Sequence, residues 1–267
     1  GGSGGLLSVC IVGMRIPFLG VCVAHAALAG AVYGSLAGLT GATLLLPALG
    51  GSLLVALALG YADPRSVRMD SNVVMGLLFS LTMGLAFVGF GLFGKLGVSD
   101  NEVWSLLWGS LLYCRWSDVW LMLAAAGALS LFVLGFAKEM RAILFSRADA
   151  QAAGIRATGV WTGFLILTAA VMTVNFQTVG ALMIYSLITN PAAAAFLLVR
   201  GHNRAMLLAV AFGAASGLGG FLLSAATDHP SGAVIVLVSS GFVIAAGLLR
   251  QVTQRLVAAQ SRQRARA

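Results

Sequence analysis

Cys22 and His25, three positions apart, are the residues whose types and spacing most clearly offer chemistry. They lie in Gly20-Val21-Cys22-Val23-Ala24-His25-Ala26, inside an apolar stretch, where a polar or ionisable side chain is costly and marks a pathway by default. Residues three apart on a helix share a face. A thiolate and an imidazole presented together suit a soft or borderline cation such as zinc. Two ligands do not complete a metal site, and the alternative is a neutral histidine bonded to a backbone carbonyl beside a cysteine acting as a small hydrophobe. His25 lies ten residues beyond Arg15. At about 1.5 Å per helical residue it sits about 15 Å into an apolar layer about 30 Å thick, near its middle.

Other polar groups in apolar stretches are few. Asn175, Gln177 and Asn190 read as interhelical hydrogen-bonding residues. Asp228-His229, followed by Pro230, reads as a turn that is either solvated or a point where metal enters. Gly89-Phe90-Gly91-Leu92-Phe93-Gly94-Lys95 satisfies G-x-G-x-x-G and the opening of a phosphate-binding loop. No strand pattern precedes it, and Leu96 stands where a Ser or Thr must reach magnesium, so these glycines read as helix packing. Gly30, Gly34 and Gly38 recur every four residues, as do Gly213 and Gly217, the spacing that lets helix backbones approach. No His-Glu-x-x-His occurs, and no catalytic residue is assigned.

The elements that must position these residues follow from composition. Of 267 residues, 60% are apolar and only 9% charged, with a mean hydropathy of +0.98. A soluble domain would carry roughly 25% charge, and a disordered chain would be poor in apolar residues. The alternating segments of a β-barrel are not visible. The chain reads as an all-α polytopic membrane protein with about eight full spans, at 18–36, 41–60, 72–94, 118–136, 158–175, 179–199, 204–225 and 232–249. A partial helix precedes them, since the apolar run from Leu6 stops at Arg15, too short to span; the first half of that helix is expected to be missing. Residues 1–5 are linker-like, 6–249 form the membrane domain and 250–267 a basic tail. Val103–Tyr113 is apolar but too short to cross and reads as an outer re-entrant or interfacial helix, with Trp104, Trp108 and Trp116 in a headgroup belt. Cys10, Cys22 and Cys114 give no disulfide framework.

Strict alternation with a cytoplasmic C-terminus puts every Lys and Arg except Lys95 and Arg115 inside, fourteen of the sixteen. That bias supports the span count and orientation together. The net charge of +8 therefore reads as the positive-inside signature and attraction to anionic lipid, not nucleic-acid binding. The loop 137–157, helix-favouring with Leu144 and Phe145 among polar residues, reads either as a solvated loop or as one that docks a soluble partner through an amphipathic helix.

Several stretches resemble the integral membrane subunits of bacterial zinc, manganese and iron ABC importers. Arg15 to Gly30 looks like that family's early segment, in which a basic residue leads to Gly-Asp and then His-Ala. Val73–Ser80, Trp108–Leu112 with Trp116–Asp118, Asp149–Gly154 and Val179–Met183 leading to Pro191–Ala194 follow in family order. The resemblance implies a permease homodimer in the bacterial inner membrane, cytoplasmic ATP-binding subunits docked on the loop containing Phe145, Asp149 and Gly154, and an extracytoplasmic metal-binding protein. ATP would be hydrolysed in the partner, and no permanently bound cofactor is implied. His25 carries over to the family's translocation path, but Val21 stands where the family usually has Asp. Losing a hard oxygen ligand and gaining Cys22 nearby favours zinc as cargo over manganese or iron. A metal chelate carried by the same architecture is the alternative; a secondary transporter without an ATPase is disfavoured by the lack of acids inside the spans.

Overall fold

The computed structural model describes residues 1–61, 70–97, 103 and 114–264, and all regular secondary structure among them is helical. In chain order the helices are α1 (Gly2–Gly13), α2 (Leu19–Leu36), α3 (Leu45–Tyr61, entered through a 3-10 turn at Gly41–Leu44), α4 (Ser71–Leu96), α5 (Trp116–Gly135), α6 (Ala137–Phe145), α7 (Arg147–Ala152), α8 (Ala157–Val179), α9 (Ala181–Leu198), α10 (His202–Thr227) and α11 (Ser231–Arg264). Seven helical stretches among the described residues, in α2, α3, α4, α5, α8, α10 and α11, are long and apolar enough to cross a membrane. The span expected at 179–199 is α9, an 18-residue helix with Pro191 inside it. The re-entrant helix expected at 103–113 lies outside the described residues except for Val103, as do Trp104, Trp108, most of the loop 61–71 and the side chain of Gln177.

The opening glycines correct the sequence reading. Residues 2–5 are not a linker but the first turn of α1, and a Cβ at Gly1 or Gly5 would strike the backbone of α10 at Gly213 or Ala209. The composition of a flexible linker and that of a close helix crossing are the same, because both exploit the missing side chain.

The chain forms two compact units, Gly13–Tyr185 and Gly1–Val12 with Ser186–Ala267. In the first, α2 is the central helix, packed on α3, α4 and α8, while α8 also meets α3 and α5. Burial orders these elements: 72% of the apolar window of α2 is enclosed, against 11% for α5. The close approach of α2 to α3 is made by small residues. A Cβ at Gly30 would strike the Pro47 carbonyl, one at Gly34 the Pro47 ring, and one at Gly51 the Ala26 carbonyl. Gly89 of α4 rests on Val32 in the same way, whereas Gly91 and Gly94 face open space.

Gly38 does not share the packing role of Gly30 and Gly34. It lies beyond the end of α2 at φ +87° with nothing near its Cβ position. Its N–H donates to the Ser35 carbonyl at 2.9 Å and that of Leu39 to Gly34 at 3.0 Å, so it is the left-handed residue that ends the helix.

In the second unit α10 packs on α11, and Val9, Ala192, Ala195, Ala205 and Ala209 bring α1, α9 and α10 together. A Cβ at Gly213 would meet the Gly1 carbonyl, and at Gly217 the Gly1 Cα at an ordinary 3.6 Å. The amide of Asn190 lies 2.9, 3.0 and 3.1 Å from the hydroxyls of Ser186, Ser239 and Ser240, joining α9 to α11.

The contrast between Gly30 and Gly91 gives a measurable outcome. Gly30→Val, forced against a carbonyl that cannot move aside, should destabilise the detergent-solubilised protein by about 1–3 kcal/mol or more in thermal unfolding. Gly91→Ala, entering open space, should leave it unchanged or up to about 1 kcal/mol more stable through helix propensity.

Candidate functional site

Helix α2 is apolar on every side, so its sequence does not select the face it shows. Packing selects it: Val21 and His25, one turn apart, are partly exposed, as is Phe18 just before the helix, while Leu19, Cys22, Val23, Ala26 and Ala27 are buried. This lane borders α4. Phe79 meets Phe18 edge-on at 5.7 Å and His25 edge-on at 4.8 Å between ring centroids, and the Tyr33 hydroxyl donates to the Leu85 carbonyl at 3.2 Å.

The orientation of His25 has a chemical consequence. Its Nδ1 lies 2.9 Å from the Val21 carbonyl oxygen. A carbonyl can only accept, so Nδ1 carries the proton and Nε2 keeps a lone pair. That is the arrangement by which a backbone carbonyl fixes a metal-binding histidine, with Nε2 as the ligand atom.

Cys22 is corrected. The helical spacing that suggested a Cys/His pair holds, but Cys22 is 0% exposed while His25 shows surface, so only the imidazole opens onto the lane. Among the described residues no three His, Cys, Asp or Glu side chains gather into a metal site. Val21 puts an aliphatic side chain one turn from His25, where a carboxylate would have added a hard ligand. Asp228 and His229 form a local turn: Asp228 has φ +52°, the His229 ring bonds the Thr227 carbonyl at 2.6 Å, and Ser224 donates to the His229 carbonyl at 2.7 Å. Both are exposed and belong to the other compact unit.

The loop 137–157 folds into α6 and α7. Met140 and Ile143 are buried on one side of α6, while Phe145 at its end is 95% exposed. The Ser146 hydroxyl accepts the Asp149 N–H at 3.2 Å and so caps α7. Gly154 at φ +84° ends it, with Ile155 N–H bonded to the Ala150 carbonyl at 3.0 Å. Arg147 anchors the pair of helices. Its Nη2 donates to the Gly60 carbonyl at the end of α3 and to the Thr158 hydroxyl on α8, both at 3.2 Å, and its guanidinium lies 6.0 Å from the Trp161 ring centre. From sequence, Arg147 was only one cation among many and Phe79 one apolar residue among many; neither carried a signal of its position.

The sequence profile of the ABC 3 transport family matches residues 1–250. The chain belongs to the ABC 3 transport family. Similar curated members are the manganese transport system membrane protein MntC of Halalkalibacterium halodurans, 29% identical over 88% of this chain and 78% of that protein, and the chelated iron transport system membrane protein YfeD of Yersinia pestis, 27% identical over 90% and 78%. Among solved structures, PsaBC from Streptococcus pneumoniae in complex with Fab has a chain of the same fold, with a TM-score of 0.76 at 22% identity over 91% of this chain and 85% of that one.

The cysteines of this ABC 3 family member report the burial directly. Cys114 lies just before α5, where partial burial and then the Asp118 carboxylate raise its thiol pKa above the ordinary 9.0. Only the thiolate reacts. A polar maleimide at pH 8 should therefore label Cys114 more slowly than a free thiol, Asp118→Asn should speed it, and Cys10 and Cys22 should stay unlabelled until the protein is unfolded. Mass spectrometry of labelled peptides reads each site.

Proposed function

We propose that this ABC 3 family chain is the membrane permease of an ATP-driven importer of a divalent transition-metal ion, acting as a homodimer in the bacterial inner membrane. The observation that carries the reading is His25, whose Nδ1 is committed to the Val21 carbonyl and whose Nε2 is thereby a ligand atom. One chain offers an incomplete ligand set among its described residues, so a second copy would supply a matching imidazole. A sparse site suits transport, because a site that binds too completely does not release.

The cargo follows from ligand chemistry. An imidazole without a neighbouring carboxylate favours a borderline ion such as zinc over manganese. With Cys22 enclosed, the thiolate no longer argues for zinc specifically. Relatives are named for manganese and for chelated iron. The second reading, a chelate as cargo, is favoured by Val21, since a metal arriving with its own oxygen ligands needs none from the path.

ATP hydrolysis belongs to separate cytoplasmic subunits, which dock on α6 and α7 through Phe145, with Asp149 and Gly154 holding the shape of the loop. An extracytoplasmic binding protein delivers the metal, and the C-terminal tail lies on the cytoplasmic side with most of the Lys and Arg. Asp228 and His229 remain a candidate point of outer access.

His25→Ala should lower uptake of zinc or iron(II) into proteoliposomes at least about tenfold at unchanged expression, the size of effect seen for losing even an outer-shell partner of a metal site. Val21→Asp should raise manganese-stimulated ATP hydrolysis relative to zinc. Unchanged uptake by His25→Ala would remove it from the path, and no response of the wild type to any free ion would leave the chelate reading. Phe145→Ala should weaken binding of the ATPase subunit roughly tenfold, read by co-purification at limiting partner.

A further inference from the structure

We infer that the cleft between the end of α9 and the late turns of α11 is a binding site for an anionic phospholipid. The cleft encloses about 280 Å³. Phe196, Val199 and Arg200 line it from the end of α9, and Leu249, Arg250 and Gln254 from α11, so each side carries both apolar and cationic residues. Both arginines are exposed, and among the described residues neither guanidinium has a hydrogen-bond or ion-pair partner.

Three features select the ligand. Two arginines line one small cleft, and a guanidinium presents planar donors matched to phosphate oxygens. The apolar residues that line it with them call for a ligand that is fatty as well as anionic. The position supplies such a ligand, because Arg200 immediately follows α9 and Arg250 follows the apolar part of α11, where a helix leaves hydrocarbon for headgroups. Basic pockets between membrane helices at this level hold lipid phosphates. A phosphatidylglycerol-type headgroup would place its phosphate between Arg200 and Arg250, its glycerol hydroxyls near Gln254 and an acyl chain against Phe196 and Leu249. The cleft lies wholly within the unit formed by Gly1–Val12 and Ser186–Ala267. The inference rests on the proposed cytoplasmic tail for its leaflet, but lipid retention is read without metal transport, so either reading can fail alone.

The test is native mass spectrometry of the permease assembled with its ATPase subunit, presented with equal phosphatidylglycerol and phosphatidylethanolamine. The wild type should retain phosphatidylglycerol in preference, and Arg200→Gln/Arg250→Gln should reduce that retention about tenfold while Lys95→Gln leaves it unchanged. Arg250→Lys, which keeps the charge but not the planar donors, should retain more than Arg250→Gln and less than the wild type, and that comparison serves if the double variant does not fold. Equal retention of the two lipids, or no loss in the Gln variants, overturns the site. Displacement of the lipid by millimolar inorganic phosphate would make it a simple anion site, and exclusion of lipid by the bound ATPase would assign the arginines to that partner; either result overturns the inference.

Discussion

The contact on which the membrane unit depends is the backbone crossing of α2 and α3. Gly30 faces the Pro47 carbonyl and Gly51 faces the Ala26 carbonyl, so each helix supplies the gap that the other fills. Lipid tails are as apolar as leucine, and close van der Waals packing therefore does the work that the hydrophobic effect does in water. With α3 held this near on one side and Gly89 of α4 resting on Val32 on another, α2 has one rotational setting. Every statement about Val21, Cys22 and His25 follows from that setting.

The setting divides two neighbouring residues into different roles. Cys22 turns into the packed interior, where a thiol behaves as a small hydrophobe. His25 turns to the lane along α4, where Phe79 braces its ring edge-on and the preceding turn takes its Nδ1 proton. A neutral histidine so held presents one lone pair in a fixed direction, and Val21, one turn earlier, puts a methyl surface beside it.

A contiguous set of contacts runs from the loop helices into the packing of the same unit. Phe145 projects from α6, and Arg147 at the start of α7 is bonded to the last turn of α3 at Gly60 and to α8 at Thr158. Gly60 in turn sits against Thr162, and the Thr173 hydroxyl further along α8 donates to Ser52 of α3 at 2.8 Å. The helix that carries these contacts, α3, is the one whose backbone touches α2. The arginine acts here as a strut, because a planar guanidinium holding a carbonyl and a hydroxyl resists rotation in a way that a lysine would not.

The sequence by itself determined the class of molecule and seven of the eight expected spans among the described residues, since hydropathy is a sum over many residues and survives local error. It also identified His25 as the ionisable group in the first full span and Val21 as the missing acid. It did not determine which face of α2 either residue occupies. A helix that is apolar all round has no amphipathic period to read, and spacing alone put Cys22 beside His25 where packing separated them. For the same reason Gly38 looked like a third member of a packing series until its φ of +87° made it a terminator, and the opening glycines looked like a linker until α10 was found against them. Tertiary structure decided these cases because glycine and small apolar residues carry almost no directional information of their own, and their role is set by which backbone comes to meet them.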